Sequence, residues 1–91
     1  MIEMELVICN QLGLHARAAS QVVSTSLKYA SDINLNVIES SVQANCKSIM
    51  GLMMLGASCG TSVKVTVSGQ DEIEAAAAIK TLIQNRFGEE H

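Results

Sequence analysis

The stretch TSVKVTVSG, residues 61 to 69, narrows most sharply what this chain can fold into. Val63, Val65 and Val67 point one way while Lys64, Thr66 and Ser68 point the other, the two-residue period of a strand with one face in a core. Such a strand needs partners, and three more segments share its period. Residues 2 to 9, IEMELVIC, set Ile2, Met4 and Leu6 against Glu3 and Glu5 before turning apolar throughout. In INLNVI, Ile33, Leu35 and Val37 alternate with Asn34 and Asn36. SVQAN, residues 41 to 45, is a brief strand with Val42 and Ala44 inward. Only Glu39 and Ser40 separate these last two, so they pair as an antiparallel hairpin.

Between the strands the period changes to that of a helix. Over residues 16 to 30, Ala19, Val22, Val23, Ser26, Leu27 and Ala30 share one face, with Ser20, Gln21, Ser24, Thr25 and Lys28 opposite. The serine and threonine content makes this helix weak by propensity, so packing must hold it. A short helix begins at Ser48 and ends near Leu55 and Gly56; Ile49, Leu52, Met53 and Gly56 share its spacing, with Met50 and Met54 off the stripe. The last helix follows Asp71 and Glu72, acids suited to a helix N-terminus, with Lys80 and Arg86 toward the other end. Its buried stripe reads Ile73, Ala76, Ile79 or Lys80, and Ile83, with Leu82 beside it, and GEEH reads as a tail. The order is β-α-β-β-α-β-α. An α+β fold with four antiparallel strands and three helices on one face buries every apolar stripe. Its other face then carries Glu3, Glu5, Asn34, Asn36, Lys64 and Thr66, polar enough to meet water. At 91 residues the expectation is one domain spanning 1 to 91.

Composition removes several function classes. The net charge of −3 opposes non-specific nucleic-acid binding, and one Tyr with one Phe leaves no base-stacking platform. The longest apolar segment, residues 49 to 57, is too short to cross a bilayer, and the N-terminus lacks the basic start of a signal peptide, so a cytoplasmic location is expected. Cys9, Cys46 and Cys59 lack the paired short spacing of zinc or thioredoxin-like sites and read as reduced, partly buried thiols. No metal site or cofactor is expected.

Two junctions carry candidate chemistry. In GLHARAAS, residues 13 to 20, His15 precedes a helix start and Arg17 lies in its first turn. The first amides of a helix have no internal partner and carry a partial positive charge, so they bind anions. A phosphoryl group on the imidazole would meet these amides and a guanidinium able to hold two oxygens. On spacing alone, a lone histidine at a loop-to-helix junction is usually a solvated residue. At the second junction Ser48 suits an N-cap, which by itself stabilises a helix by about 1 kcal/mol. It equally suits a regulatory phosphorylation site, where about two added negative charges would alter docking. Ile49, Met50, Met53 and Met54 give that helix more apolar surface than one buried face needs, either as core or as an adaptable contact patch.

GLHAR at 13 to 17 and NCKSIMGLMMLG at 45 to 56, set in this order of elements, resemble HPr. HPr is the histidine-containing phosphocarrier of the bacterial phosphoenolpyruvate:sugar phosphotransferase system, and the nitrogen-branch carrier NPr belongs to the same family. The resemblance covers essentially the whole chain. It implies an open-faced β-sandwich, working as a monomer. His15 matches the histidine that takes a phosphoryl group on Nδ1 from phosphorylated Enzyme I and passes it to an EIIA-type acceptor. Arg17 matches the arginine that orients that group. Ser48 matches the serine modified by HPr kinase/phosphorylase in many Gram-positive and some other bacteria. Ile49, Met50 and Met53 match the apolar patch that docks donor and acceptors.

Many members place proline straight after the arginine, whereas this chain has Ala18. Proline in a first helical turn loses no hydrogen bond and presets φ, so Ala18 leaves the junction less rigid without touching the chemistry-bearing positions. A regulatory interaction protein controlled through Ser48 is the competing reading. A small-molecule sensor of ferredoxin-like topology would share the strand order but leave both motifs unexplained. Whether His91 is native or part of an expression tag stays open.

Overall fold

The computed structural model describes residues 1–90; His91, with the question of its origin, lies outside them. The elements run β1 (Ile2–Val7), α1 (Ala16–Ser26), β2 (Asp32–Val37), β3 (Val42–Asn45), α2 (Ile49–Met53), β4 (Ser62–Ser68), α3 (Glu72–Gln84) and a 3-10 turn, Arg86–Gly88. The four strands form one antiparallel sheet in the order β1-β4-β2-β3. The most regular strand of the sequence is thus central: β4 pairs Val65 with Met4 on one side and Leu35 on the other.

The alternation places Leu6, Ile33, Leu35, Val37, Ala44, Val63, Val65 and Val67 in one cluster with Ala18, Ala19 and Val22 of α1, Leu52 of α2, and Ala75, Ala76, Ile79 and Ile83 of α3. The opposite face carries Glu3, Glu5, Asn34, Asn36, Lys64 and Thr66, as its polar pattern predicts. There Lys64 lies 3.5 Å from the Glu3 carboxylate and directly opposite Glu5 in the register. The expected α+β sandwich is the fold observed.

Several expectations fail at the ends of elements. Leu27 and Ala30, assigned to the buried face of the first helix, are exposed because α1 stops at Ser26 and the chain tightens into turns from Lys28 to Thr25 and from Tyr29 to Ser26. Val42 faces the same way as Ala44 but sits exposed at the end of an edge strand. Ile73 is exposed because the buried stripe of α3 runs through Ala75, Ala76, Ile79 and Ile83. Asp71 precedes α3 without capping it. Its carboxylate instead accepts hydrogen bonds from the Ala30 and Ser31 amides and the Ser31 hydroxyl, which ties the start of β2 to the start of α3. Those bonds, the hydroxyl's first, hold the Asp71 carboxyl below its ordinary value. Of the three thiols only Cys46 is buried; Cys9 and Cys59 are exposed.

The largest departure is at the C-terminus. After α3 the chain enters a left-handed stretch, with φ of 56° at Arg86 and 54° at Phe87, and Phe87 inserts into the core at 2% exposure. A non-glycine residue adopts that backbone only when packing over-determines it. Burial of the phenyl ring supplies the packing, so the last residues return along the body of the protein and do not form a loose tail.

Candidate functional site

The loop between β1 and α1 is built around Asn10 and Gly13. Gly13 has φ of +66°, and a Cβ there would stand 2.6 Å from the Ala57 carbonyl oxygen and 2.7 Å from the Ser58 Cα, so only glycine fits. Its amide donates to the Asn10 carbonyl at 3.1 Å, while the fully buried Asn10 side-chain amide donates back to the Gly13 carbonyl at 2.7 Å. Leu14 is buried and its amide donates to the Ala57 carbonyl at 2.8 Å. Three hydrogen bonds thereby fix the backbone immediately before His15.

His15 is the N-cap residue of α1, with extended φ and ψ of −77° and −177°, and its carbonyl accepts from the Ala19 amide at 2.8 Å. No side chain caps the helix start, so the amides of its first turn remain available to an anion. Arg17 is exposed on that turn, and His15, Ala16 and Arg17 line an open cleft of about 630 Å³ with Gln11, Leu12, Glu89 and Glu90. His15 and Arg17 are thus brought together.

The returning C-terminus supplies His15 with a carboxylate partner. The His15 Nε2–H donates to Glu89 Oε2 at 2.5 Å, and the other oxygen of the same carboxylate accepts from Asn10 Nδ2 at 3.0 Å. The two side chains are 27% and 11% exposed, so the contact is shielded without being sealed. Asn10 therefore holds both the turn before His15 and the carboxylate beside it. Its hydrogen bond, then that of His15, and then the fields of His15 and Arg17 keep the Glu89 carboxyl below its ordinary value of 4.5. With Nε2 committed to Glu89, the imidazole's acceptor nitrogen is Nδ1. Sequence periodicity missed Asn10 and Glu89. The available signal was Phe87, an isolated aromatic residue in an otherwise polar ending, which marks a segment that must return to bury it.

Ser48, Ile49, Met50 and Met53 form a second cluster that does not line the His15 cleft. Ser48 is the N-cap of α2, and its hydroxyl accepts from the Gly51 amide at 3.1 Å. A five-residue helix can bury only a narrow face, here Leu52 alone. Ile49 and Met53, which share helical spacing with Leu52, are accordingly exposed, as are Met50 at 67% and Met54 at 80%. The α2 helix packs against α1, the helix that His15 begins.

Comparison with known proteins agrees with this arrangement. The family model PTS-HPr, described as the PTS HPr component phosphorylation site, matches residues 2–85. Phosphocarrier protein HPr of Xylella fastidiosa is 44% identical over 90 residues, covering 99% of either chain. A crystal structure of HPr-C-His from Thermoanaerobacter tengcongensis superimposes with a TM-score of 0.93 at 44% identity over the full length of both chains. A structure of an HPr dimer from the same organism matches with a TM-score of 0.76, covering 98% of this chain and all of the other. Fold, paired motifs and full-length similarity agree: the chain belongs to the HPr family of phosphocarriers of the phosphotransferase system.

Proposed function

We propose that this chain accepts a phosphoryl group on His15 Nδ1 from phosphorylated Enzyme I and passes it to an EIIA-type acceptor. The observation that carries the reading is the bond from His15 Nε2–H to Glu89, which leaves the Nδ1 lone pair as the nucleophile. In the first transfer that lone pair attacks phosphorus as the bond to the donor breaks. Positive charge then develops on the imidazole ring, beside the Glu89 carboxylate that already accepts its proton. The phosphoryl oxygens meet the amides of the first turn of α1 and the Arg17 guanidinium. In the second transfer the acceptor's nucleophile attacks the same phosphorus and His15 leaves as neutral imidazole. Ala18, buried within that first turn, supports the helix by packing where proline would fix its φ.

Ile49, Met50 and Met53 form the docking patch for both partners, since flexible apolar side chains adapt to more than one surface. The chain works as a monomer in the cytoplasm, as a single domain spanning 1 to 91. No helix among the described residues is long and apolar enough to cross a membrane. The exposed N-cap hydroxyl of Ser48 favours a second, regulatory reading, in which HPr kinase/phosphorylase adds a phosphate beside the patch and weakens docking to acidic partners.

Incubation with phosphoenolpyruvate and Enzyme I should load one acid-labile, base-stable phosphate. A His15→Ala variant should take none, and Arg17→Ala should load slowly. Label retained by His15→Ala would sink the carrier assignment. Label from ATP and the kinase appearing on Ser48, with no transfer from Enzyme I, would favour the regulatory reading.

A further inference from the structure

Two of the three cysteines take no part in the site described above, and the fold brings them to one place. Residues 58 to 61 form a tight turn closed by the Thr61 amide donating to the Ser58 carbonyl at 3.0 Å, with Gly60 at φ of +92°. Cys59 is the first corner of that turn. The Gly60 amide donates to the Ile8 carbonyl at 2.7 Å, and the Ile8 amide donates to the Thr61 carbonyl at 2.9 Å. This pattern, with glycine in the left-handed region, is a bulge that extends the β1–β4 ladder by one step. Cys9 follows Ile8 and Cys59 precedes Gly60, so these bonds bring both cysteines to the same end of the β1–β4 pair. A disulfide between them requires a Cα separation of about 4.4–6.8 Å.

Side chains agree with this placement. Cys9 and Cys59 are both exposed, and both line one pocket of about 280 Å³ with Gln11, Arg86 and Glu90. The Cys9 thiol reaches the Ile83 carbonyl at 3.5 Å, at the end of α3. Cys46 is the contrast: buried, with its thiol pushed up to about 12 by desolvation, it is withdrawn from solution chemistry. Gln11 and Glu90 also line the His15 cleft, so the thiol pair borders it.

We propose that Cys9 and Cys59 form a redox site that hydroperoxides oxidise to an intramolecular disulfide. One thiolate sulfur attacks the peroxide; the O–O bond breaks, a sulfenic acid forms, and the departing oxide takes up a proton. The second thiol then attacks the sulfenic sulfur, forming S–S and breaking S–O, and its proton leaves with the hydroxide as water. The two thiols lose two electrons in all, and the peroxide gains them.

The test treats the full reduced chain with hydrogen peroxide and follows intact mass, free thiols and peptide linkage. The expected result is a loss of about 2 Da, the two thiol hydrogens, reversed by dithiothreitol. Of the three thiols, one (Cys46) should remain titratable once the protein is denatured, and digestion should yield a Cys9–Cys59 linked peptide. Cys46→Ser should behave as the parent does. Cys9→Ser and Cys59→Ser should each lose the mass decrease and retain a sulfenic acid that a dimedone probe captures. Oxygen added without a link, crosslinking only between chains, or a linkage through Cys46 would each overturn the proposal.

Discussion

Replacing Phe87 by alanine tests whether the C-terminal return is held by burial of that ring. Phe87 is 2% exposed in the core cluster, so the substitution removes a buried aromatic ring and leaves a cavity. Such changes cost about 3–5 kcal/mol, so a loss of at least ~3 kcal/mol is expected. Alanine at φ of 54° keeps the left-handed strain, so no relief offsets the loss. For a chain of this size each kcal/mol moves Tm by roughly 4–8 °C, so melting should fall by about 12–24 °C. Urea titration followed by far-ultraviolet dichroism should show a lower midpoint at unchanged m, since native and unfolded surface areas barely alter. The nitrogen-15 resonances of His15 should shift as well, because Glu89 lies two residues beyond the anchor and should leave Nε2. A loss below about 1 kcal/mol at unchanged m, with those resonances in place, would refute the anchoring role.

Three further outcomes are expected. Gly13→Ala should cost more than about 2 kcal/mol by urea titration, because left-handed backbone and a Cβ 2.6 Å from a carbonyl oxygen add in the same direction. Ser48→Ala should lose about 1 kcal/mol in thermal melts, the contribution of a capping hydroxyl to the Gly51 amide. Acidification should erase the contribution of Glu89: held below 4.5 when folded, its carboxyl stabilises fully above that pH and loses the effect as pH falls through the depressed folded value. The stability gap between the parent and Glu89→Gln should therefore be largest near neutrality and close as pH falls through the depressed folded value, a gap that persists in acid below it counting against the assignment. Asp71 and Glu72, also held low, titrate in both proteins and cancel in that comparison.

Much of the architecture was written locally. The two-residue period of β4 and the stripes of α1 and α3 depend on which neighbours along the chain share a face, a relation that periodicity exposes directly. The motif around His15 and Arg17 was legible for the same reason, since both belong to one helix start. The ends of elements were harder. Leu27 and Ala30 extend the pattern of α1, yet the chain leaves the helix at Ser26 because the Asp71 carboxylate ties down Ala30 and Ser31 from 40 or so residues away. The exposure of Ile49 and Met53 likewise follows from how short α2 is and what it packs on.

By itself, then, the sequence determined the order of strands and helices, the polar outer sheet and the helix start that presents His15 and Arg17. Tertiary structure alone decided what surrounds them. Asn10 reaches Glu89 across 79 positions, His15 reaches it across 74, and Cys9 and Cys59 come to line one pocket. Contacts between residues so distant along the chain have no period to betray them. They exist because burying Phe87 and closing the sheet offset the entropy of bringing remote segments together.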